Sequence, residues 1–546
     1  MVSLSMRLLL ISGIFVGTIC NADKTAFVLL GPTGDNALRE NGVWQGLYEA
    51  FAAGTYDSST VGIHPTMNTP HDVDELREKF YKSVMPLYET LLNTPGWECK
   101  QEDCNPEVLW VDVEPNINIW DGRDANAQAE DMIPALVGYA AIDVYLSVPP
   151  FAFADWATVT ATNWGSDRVN VAAEKPFGVS TEDADALYDG ITELLPADHL
   201  LLVDHWLSFF MVKNLPNFRS IIESSLGVSW DDKSFSKIVV TEHETRGLEG
   251  RGGFFDGIGQ VRDLIQSHLL QTLALSQIGS DQSPRSEAKL EIFNNLVVKS
   301  CEHGQYEGWL FEDYLSYHPE FADATYSTMT LDSSMSAWAE TEIIITTGKF
   351  MGTNLYTVEM YEAGGPGKVT IDIGAEEVGV AEIKISNWPL VDSSSFEAPK
   401  PGFSEGETVT MEPSVSSDGS GYIVSYEPGS TYFPKPYAIM IGRMLEANYG
   451  VAFVTYPEVH QSWTIITAGD SSLCLDPRPE NVLVYNPPYS CGNTPPEVCY
   501  TGETVLDLYN VMFACTEEND VTHKDIDFYQ EKCHADSNIF DRHYLR

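Results

Sequence analysis

The N-terminal part of the chain alternates short apolar runs with stretches of helical periodicity. Residues 25–30 (TAFVLL) form an apolar run of strand length, and the segment GPTGDNALRE follows at residues 31–40. Apolar side chains then recur at helical spacing from Val43 to Phe51. The pattern predicts a strand, a tight glycine turn and a helix, in that order.

Further apolar runs continue this alternation up to about residue 203. The segments 108–111 (VLWV) and 144–148 (VYLSV) are strand candidates, and helical stretches separate them. Strands that alternate with helices predict a parallel, doubly wound α/β sheet. The chain has 546 residues. Because single cores stop growing at ~250–300 residues, we expect a second domain.

The glycine turn is a candidate dinucleotide site. Gly31 and Gly34 permit a tight turn and a close backbone approach to a pyrophosphate. Glycine turns also follow strands in proteins that bind no nucleotide, so the motif alone leaves the choice open. The predicted second strand, residues 61–66 (VGIHPT), carries neither the acid that binds the ribose of NAD nor a base for the phosphate of NADP. The residues therefore leave NAD and NADP both open.

The charge of the chain excludes several classes of partner. The formal net charge is −49, from 31 Lys and Arg against 80 Asp and Glu. Such a chain repels nucleic acids and anionic membranes, and we expect neither as a partner. It also repels sugar phosphates and dinucleotides at long range. Any anion site must therefore consist of local cations and backbone N–H groups.

The N-terminus has the pattern of a signal peptide. Arg7 precedes the apolar run 8–17 (LLLISGIFVG), and small residues follow near Ala22. The run is shorter than the ~20 apolar residues that span a bilayer. A buried first strand would leave the basic flank and the small residues unexplained. We expect removal of residues 1–22 and a location in the endoplasmic reticulum lumen or outside the cell; the final residues, HYLR, differ from a KDEL-type signal.

Cysteine usage agrees with an oxidising compartment. Loss of Cys20 with the signal peptide would leave eight of nine cysteines, an even number compatible with four disulfides. Cys99 and Cys104 are close enough in sequence to pair locally. Five more cysteines lie in the C-terminal part, the first at Cys474 and the last at Cys533, and their pairing stays open. No CxxC pair supports a zinc site, and we expect no metal.

Five segments carry a family resemblance through their order and spacing. They are GPTGD at 31–35, YLSVPPFAF at 145–153, VAAEKPFG at 171–178, VDHWLSFFMVKNL at 203–215 and RDLIQSHLLQ at 262–271. Together they resemble the glucose-6-phosphate dehydrogenase family, and the signal peptide points to the secretory-pathway hexose-6-phosphate dehydrogenases. Weaker similarity continues at 338–351 and 436–463, so that the resemblance covers roughly residues 25–465.

The resemblance implies an α/β Rossmann domain followed by an α+β domain with a large, mainly antiparallel sheet. We therefore assign residues 23–203 to dinucleotide binding and 204–465 to substrate binding. Residues 466–546 form a Cys- and Pro-rich acidic C-terminal extension with no recognised family counterpart. The resemblance also implies a homodimer or tetramer. The implied reaction oxidises the C1 hemiacetal of a sugar phosphate to a lactone, with hydride transfer to NADP.

Within the resemblance, His268 is the general base and Asp204 is its partner. A histidine with a near-neutral pKa suits withdrawal of the C1 hydroxyl proton, and a carboxylate orients the imidazole and stabilises its protonated form. Read alone, His268 fits a core histidine as well, because Leu264, Ile265 and Leu269 flank it at helical spacing.

The resemblance also assigns residues that bind substrate and cofactor. On the substrate side these are Lys175, which precedes a cis-proline at Pro176 in the family, and His205, Trp206, Glu244, Asp263 and Lys349. On the cofactor side they are Gly31, Thr33, Gly34, Asp35, Pro149 and Lys175. Without the resemblance, the lysines and Glu244 read as solvated surface charges, Asp263 as a helix cap or helix ion pair, and His205 as a structural hydrogen-bonding group.

The chain departs from the family at the phosphate side of the site. The family's DHYLGK appears here as DHWLSF, so Trp206 replaces a tyrosine and Phe209 replaces a lysine. Phenylalanine offers neither charge nor hydrogen bond. Each lost charge-assisted bond costs ~1.5–3 kcal/mol, which weakens phosphate binding about 10- to 100-fold. Lys213 or Arg219 could supply replacement charge.

A second departure lies in the glycine turn. Asn36 replaces the family's leucine, and Glu40 replaces the last lysine of GDLAxRK. Three hypotheses follow: a sugar-phosphate dehydrogenase with a rebuilt phosphate site, a dehydrogenase for an unphosphorylated sugar, and a non-catalytic descendant that keeps the fold.

Overall fold

The structure is a computed structural model that describes most of the chain between residues 24 and 504. The predicted signal peptide and four of the C-terminal cysteines lie outside the described residues. The described residues are 24–68, 71–95, 97–120, 124–248, 255, 257–279, 285–306, 324–374, 380, 382–392, 396–399, 408–417, 419–425, 432–447, 452–468, 472–475, 482–485 and 500–504.

The first domain alternates strands and helices. Its strands are β1 (Thr25–Leu30), β2 (Val61–Asn68), β3 (Asn118–Trp120), β4 (Ala141–Leu146), β5 (Val169–Ala173) and β6 (Leu200–Val203). Its helices are α1 (Asp35–Leu38), α2 (Val43–Ala52), α3 (Val73–Asn93), α4 (Pro106–Val113), α5 (Ala125–Leu136), α6 (Phe153–Trp164) and α7 (Thr181–Thr192). Short 3₁₀ turns lie at Glu114–Asn116, Pro150–Ala152 and Ala197–His199.

The six strands pair in parallel in the order β3-β2-β1-β4-β5-β6. Side chains of β1 alternate between the two faces: Ala26 and Val28 enter one apolar core, and Phe27 and Leu29 enter another. A strand buried on both faces is typical of a doubly wound sheet with helices on both sides. The predicted Rossmann domain is therefore confirmed.

The strand prediction for residues 108–111 is wrong. These residues lie in α4, where Leu109 and Trp110 are buried and Val111 is exposed. Asn105 caps the helix by accepting a hydrogen bond from the N–H of Glu107, and a proline occupies the first turn. A run of four apolar residues is too short for periodicity to separate a helix from a strand.

The second domain contains a large sheet and several helices that lie between its strands in the sequence. Its helices are α8 (Phe210–Lys213), α9 (Leu215–Leu226), a π-helix (Val261–Leu269) continuing into α10 (Leu270–Gln277), α11 (Arg285–Phe293), α12 (Pro436–Leu445), α13 (Tyr456–Thr467) and α14 (Ser472–Leu475). A 3₁₀ turn, His205–Ser208, precedes α8. Its strands are β7 (Phe235–His243), β8 (Leu296–Tyr306), β9 (Tyr326–Ser333), β10 (Glu342–Gly348), β11 (Leu355–Glu362), β12 (Lys368–Asp372), β13 (Glu382–Ser386), β14 (Phe396–Pro399), β15 (Thr408–Val415), β16 (Gly421–Ser425), β17 (Phe453–Val454), β18 (Val482–Tyr485) and β19 (Tyr500–Thr504).

Twelve of these strands form one sheet in the order β14-β15-β16-β13-β12-β11-β7-β10-β9-β8-β18-β19. Two neighbouring pairs, β7 with β10 and β8 with β18, are parallel, and the other pairs are antiparallel. The predicted large, mainly antiparallel sheet is confirmed. The remaining strand, β17, joins the first sheet antiparallel to β6, so the second half of the chain closes an edge of the first domain.

Two disulfides appear among the described residues. Cys99 pairs with Cys104, which confirms the predicted local pair. Cys301 on β8 pairs with Cys474 on α14. With β18 and β19, this disulfide attaches part of the predicted C-terminal extension to the large sheet; the domain boundaries themselves stay a prediction. None of the described helices combines the length and hydropathy needed to cross a bilayer.

Candidate active site

The glycine turn lies at the carboxyl ends of the parallel strands, where the strand order reverses between β1 and β4. Gly31 has a φ of +78°, and a Cβ there would lie 2.2 Å from the main-chain oxygen of Ser147. The N–H of Gly31 donates to the main-chain oxygen of Thr66 at the end of β2. Only glycine fits this position, and doubly wound folds bind ligands in this crevice.

The other predicted cofactor residues lie along the same crevice. Thr33 precedes Gly34, the residue before the single-turn helix α1, and Asp35 is exposed. Pro149 is the residue directly before the 3₁₀ turn Pro150–Ala152. The sequence motifs assign no role to Ser147, whose buried hydroxyl has no hydrogen-bond partner in the described part of the chain. An orphaned hydroxyl beside the glycine turn fits a polar ligand such as a dinucleotide.

The predicted catalytic pair comes together from two elements. Asp204 follows β6, and its carboxylate accepts a hydrogen bond from the N–H of Trp206 at the start of the 3₁₀ turn. The same carboxylate oxygen lies 2.5 Å from Nδ1 of His268, and both side chains are almost fully buried. Because Asp204 contacts Nδ1, Nε2 is the ring nitrogen that can accept a proton. This is the arrangement of a base oriented by a carboxylate.

A π-helix positions His268 relative to Asp263. The segment Val261–Leu269 makes i→i+5 hydrogen bonds, and such wide turns occur frequently at functional sites. Asp263 and His268 are five residues apart, so this spacing places them on the same side of the π-helix, and His268 contributes to lowering the pKa of Asp263. The sequence pattern predicted a helix here but carried no signal for the wider turn.

Four predicted substrate residues form a buried ion cluster. Nζ of Lys175 donates to Asp263, 2.6 Å to the carboxylate and 2.7 Å to the main-chain oxygen. Nζ of Lys349 lies 2.6 Å from the carboxylate of Glu244 and 3.6 Å from that of Asp263. The peptide bond between Lys175 and Pro176 is cis, as the resemblance implies. The chain thus brings together charges that lie up to 174 residues apart in the sequence.

The charges in this cluster stabilise one another. Burial alone would raise the pKa of Asp263, but the ammonium groups of Lys175 and Lys349 hold it well below its ordinary value. Burial would likewise lower the pKa of Lys349, yet Glu244 and Asp263 raise it. Burial and then the charge of Glu244 raise the pKa of Glu242, a neighbouring acid that the sequence analysis missed. The cluster therefore offers charged hydrogen-bonding groups of both signs to a polyhydroxylated ligand.

The two histidines of the site are neutral at neutral pH. Burial lowers the pKa of His268, and Asp204 opposes this effect only in part. Burial and then the charges of His268 and Arg39 lower the pKa of His205 well below its ordinary value. A neutral His268 can accept a proton, and a neutral His205 can donate one hydrogen bond without adding charge.

Aromatic rings enclose the imidazole of His268. Trp206 stacks on His268 with ring centroids 5.1 Å apart and planes at 8°. His205 meets His268 edge-on at 4.7 Å, and its own face stacks on Tyr437 at 4.9 Å. Trp206 therefore lies beside the base, and Phe209 makes an edge contact with Trp206. These neighbours exclude water from the imidazole and keep its pKa low.

The structure does not bring Arg219 to this site as a replacement cation. Arg219 donates to the main-chain oxygen of Gln277, lies 3.5 Å from Glu223 and stacks over Trp230. It lines a separate cavity of about 330 Å³. The exposed Glu40 lies 3.5 Å from the exposed Arg246. This surface pair gives the Glu40 carboxylate a cationic neighbour on the protein itself.

Taken together, the crevice, the cluster and the histidine–aspartate pair define a class: a two-domain protein with a dinucleotide-binding fold and a second domain built on a large, mainly antiparallel sheet. Two family models match the chain. The model described as glucose-6-phosphate dehydrogenase, NAD binding domain, matches residues 28–214, and the model of the C-terminal domain matches residues 222–498. The chain belongs to the glucose-6-phosphate dehydrogenase family.

Individual relatives share modest identity with the chain. It is 31% identical over 248 residues to glucose-6-phosphate 1-dehydrogenase 1 of Mycobacterium tuberculosis, a match that covers 44% of this chain and 53% of that protein. The chain thus spans about half the length of this mycobacterial relative. It is 26% identical over 465 residues to glucose-6-phosphate 1-dehydrogenase of Saccharomyces cerevisiae, covering 81% and 87% of the two chains.

Solved structures share the fold. A crystal structure of glucose-6-phosphate 1-dehydrogenase from Mycobacterium avium matches with a TM-score of 0.62 at 19% identity, covering 85% of this chain and 94% of that one. A glucose-6-phosphate dehydrogenase in complex with glucose 6-phosphate matches with a TM-score of 0.64 at 20% identity and the same coverage. At these identities the likeness shows the fold alone.

Proposed function

We propose that the protein oxidises the C1 hemiacetal of a sugar phosphate to the lactone and transfers hydride to NADP. The buried contact between His268 and Asp204, together with the ion pair of Lys175 and Asp263 whose charges act on the same imidazole, carries this proposal. It supplies a neutral base next to charged groups that can bind sugar hydroxyls. Family membership supports a dehydrogenase; the sugar, its phosphate and the cofactor are our proposals.

His268 and Asp204 act on the C1 hydroxyl proton. Nε2 of His268 accepts the proton as C1 loses hydride and its carbonyl forms, and the proton later leaves to solvent. Asp204 stabilises the imidazolium through Nδ1, because the two groups are 2.5 Å apart in a buried site. Lys175, Glu244, Asp263 and Lys349 hold the sugar by hydrogen bonds to its hydroxyl groups.

The crevice beside Gly31 would hold the dinucleotide. Gly31, Gly34 and the hydroxyl of Ser147 supply a close backbone approach and an unpaired hydrogen-bonding group. In this crevice a bound NADP would supply the acceptor for the hydride that leaves C1. The sequence of β2 carries neither an acid for the ribose of NAD nor a base for the phosphate of NADP, so the choice of NADP rests on the family resemblance.

The test mixes purified protein with NADP and glucose 6-phosphate and measures the absorbance of the reduced cofactor. We expect turnover, and a loss of about 10³-fold or more in kcat/KM in His268→Gln, because general-base catalysis and orientation of the site are both lost. His303→Gln is the matched control. His303 is also buried and bonds Ser327, but it lies in β8 outside the site. No reduction by the wild-type protein, or equal activity in both variants, would refute the proposal.

A second candidate function is oxidation of an unphosphorylated sugar. The apolar Phe209 at the family's lysine position, the neutral His205 and the remote contacts of Arg219 support it. Comparing kcat/KM for glucose and glucose 6-phosphate separates the two candidates. Dinucleotide binding without reduction of any sugar tested would instead support a non-catalytic descendant.

We also propose that residues 1–22 direct the chain into the secretory pathway. The charged flank, apolar run and small residues support this proposal. Expression in a eukaryotic cell, with N-terminal sequencing of the mature chain, tests it: a chain that keeps its N-terminus in the cytosol contradicts it.

A further inference from the structure

A buried polar cluster joins the glycine turn to the catalytic histidines. It consists of Asn36, Arg39, Tyr145, Glu174 and Tyr437, and we call it the bridging cluster. Its members come from the glycine turn, from β4, from the segment after β5 and from α12. The family resemblance assigned no role to any of them.

The bridging cluster is held together by hydrogen bonds. One carboxylate oxygen of Glu174 accepts from the hydroxyls of Tyr145 and Tyr437, and from the side-chain amide of Asn36 at 3.0 Å. The hydroxyl of Tyr437 lies 2.8 Å from Glu174 and 3.0 Å from the amide oxygen of Asn36. Arg39 donates to the same hydroxyl at 3.1 Å. A buried network of this density allows little independent movement of its members.

The two ends of the bridging cluster contact the two halves of the proposed active site. Asn36 and Arg39 lie in and just after α1, directly beyond the glycine turn. At the other end, the ring of Tyr437 stacks on His205, which in turn contacts His268. Glu174 is also the chain neighbour of Lys175, which pairs with Asp263. A shift of the glycine turn would therefore move both His205 and Lys175.

Asn36 makes this connection specific to the present chain. The family pattern has leucine at this position, and a leucine side chain could bond neither Glu174 nor Tyr437. The helix pair behind Tyr437 is also tightly packed, because a Cβ on Gly46 of α2 would lie 2.7 Å from the Cβ of Tyr437. This close contact restricts movement of Tyr437 towards α2.

We propose that the bridging cluster couples the dinucleotide site to the sugar-phosphate site, with Asn36 and Tyr437 as positioning residues. Binding at the glycine turn fixes Asn36 and Arg39, and Tyr437 and Glu174 then hold His205 and Lys175 in the orientation that binds the sugar phosphate. This inference rests on the proposed function. Coupling between sites is reciprocal, so each ligand strengthens the binding of the other by the same factor.

The experiment measures that factor by calorimetry on the full chain. The dissociation constants of NADPH and glucose 6-phosphate are determined alone and with the other ligand saturating; the reduced cofactor prevents turnover. We expect each ligand to tighten the other at least about 5-fold, the lower end of typical allosteric coupling. In Tyr437→Phe the ring still stacks on His205 but the hydroxyl is lost, and we expect the factor to fall to within about twofold of unity.

Two further variants separate positioning from general destabilisation. Tyr56→Phe removes another buried tyrosine hydroxyl of the same domain, one that donates to the main-chain oxygen of Leu47. It is expected to lower the melting temperature but keep the coupling. Asn36→Leu restores the family residue and removes only the glycine-turn end of the network, so it decides the question if Tyr437→Phe does not fold. We expect it to weaken the coupling.

The outcomes distinguish the inference from the proposed function. If neither ligand binds the wild-type protein, the proposed function fails and the inference fails with it. If both ligands bind but independently, or if coupling persists in Tyr437→Phe and Asn36→Leu, the proposed function stands and the inference is wrong.

Discussion

Replacing Asp204 by asparagine tests the catalytic pair with the least change in shape. An asparagine oxygen can still accept the hydrogen bond from the N–H of Trp206, so the 3₁₀ turn at His205 is retained. The negative charge 2.5 Å from Nδ1 of His268 is removed. Only the electrostatic support of the imidazolium, and the preference for one ring tautomer, should therefore change.

The structure sets the size of the effect. Two unit charges about 4 Å apart interact by about 4 kcal/mol at an effective dielectric constant of 20, and each ~1.4 kcal/mol is tenfold in rate. Asp204 and His268 are both almost fully buried, so water screens this interaction little. We therefore expect kcat/KM of Asp204→Asn to fall about 10²- to 10³-fold.

The same variant should change the pH dependence. The pKa of His268 is already lowered by burial, and Asp204 is the group that opposes this. Without the carboxylate, the pKa falls further, so the acid limb of the kcat/KM profile moves to lower pH while the plateau drops. Because the neutral base persists to lower pH, the variant loses relatively less activity on acidification.

The assay is a kcat/KM profile for glucose 6-phosphate and NADP across pH, with Asp143→Asn as control. Asp143 is an equally buried aspartate of β4 that bonds Asn170 outside the site. Its variant should stay within about threefold of wild type, since it touches no reacting group. The interpretation of the pair would be wrong if Asp204→Asn lost less than tenfold, or if its acid limb moved to higher pH.

Three further predictions concern binding and stability. Gly31→Ala should abolish dinucleotide binding measured by fluorescence titration, because its Cβ would overlap the main chain, whereas Gly138→Ala has a φ of +101° but open space and should retain binding. Burial raises the pKa of Glu49 to about 8, so this group stabilises the fold fully below its unfolded pKa of 4.5 and loses that contribution as pH rises towards 8. The stability of the wild-type protein should therefore fall between pH 4.5 and 8, by about 1.4 kcal/mol per pH unit for this one proton. In Glu49→Gln, the fall in melting temperature over this pH range should be flatter. The disulfide between Cys301 and Cys474 closes a segment of 173 residues, whereas that between Cys99 and Cys104 spans five. Loss of the first should therefore lower the free energy of unfolding by about 3 kcal/mol more than loss of the second. Denaturant unfolding of the matched serine variants measures this difference, and equal losses would contradict the chain-entropy reasoning.

Local sequence patterns predicted the parts of the fold that depend on neighbouring residues. The run 25–30, followed by the glycines, predicted β1 and its turn, and Cys99 with Cys104 predicted a local disulfide. The same reasoning failed for residues 108–111, because four apolar residues fit a helix and a strand equally well, and the cap at Asn105 decided between them. Motifs, rather than periodicity, led to His268 and Asp204.

Other features have no local signature. The π-helical spacing of Asp263 and His268 depends on how the segment packs between the two domains. The neutral state of His205 depends on burial by residues from other elements. Arg219 follows the DHWLSF motif closely in the sequence, but it lines a separate cavity and not the site of His268. Sequence distance does not reveal which charges share a low-dielectric environment, and that environment sets their pKa values.

The sequence by itself determined the family, the doubly wound class of the first domain and the identities of the residues available for chemistry. The tertiary structure alone decided which of them meet: Lys175 with Asp263, Lys349 with Glu244, and Tyr437 with the glycine turn. The physical reason is range. Strand and turn preferences arise from adjacent residues, whereas burial, ion pairing and hydrogen-bond networks depend on distances that only the packed chain defines.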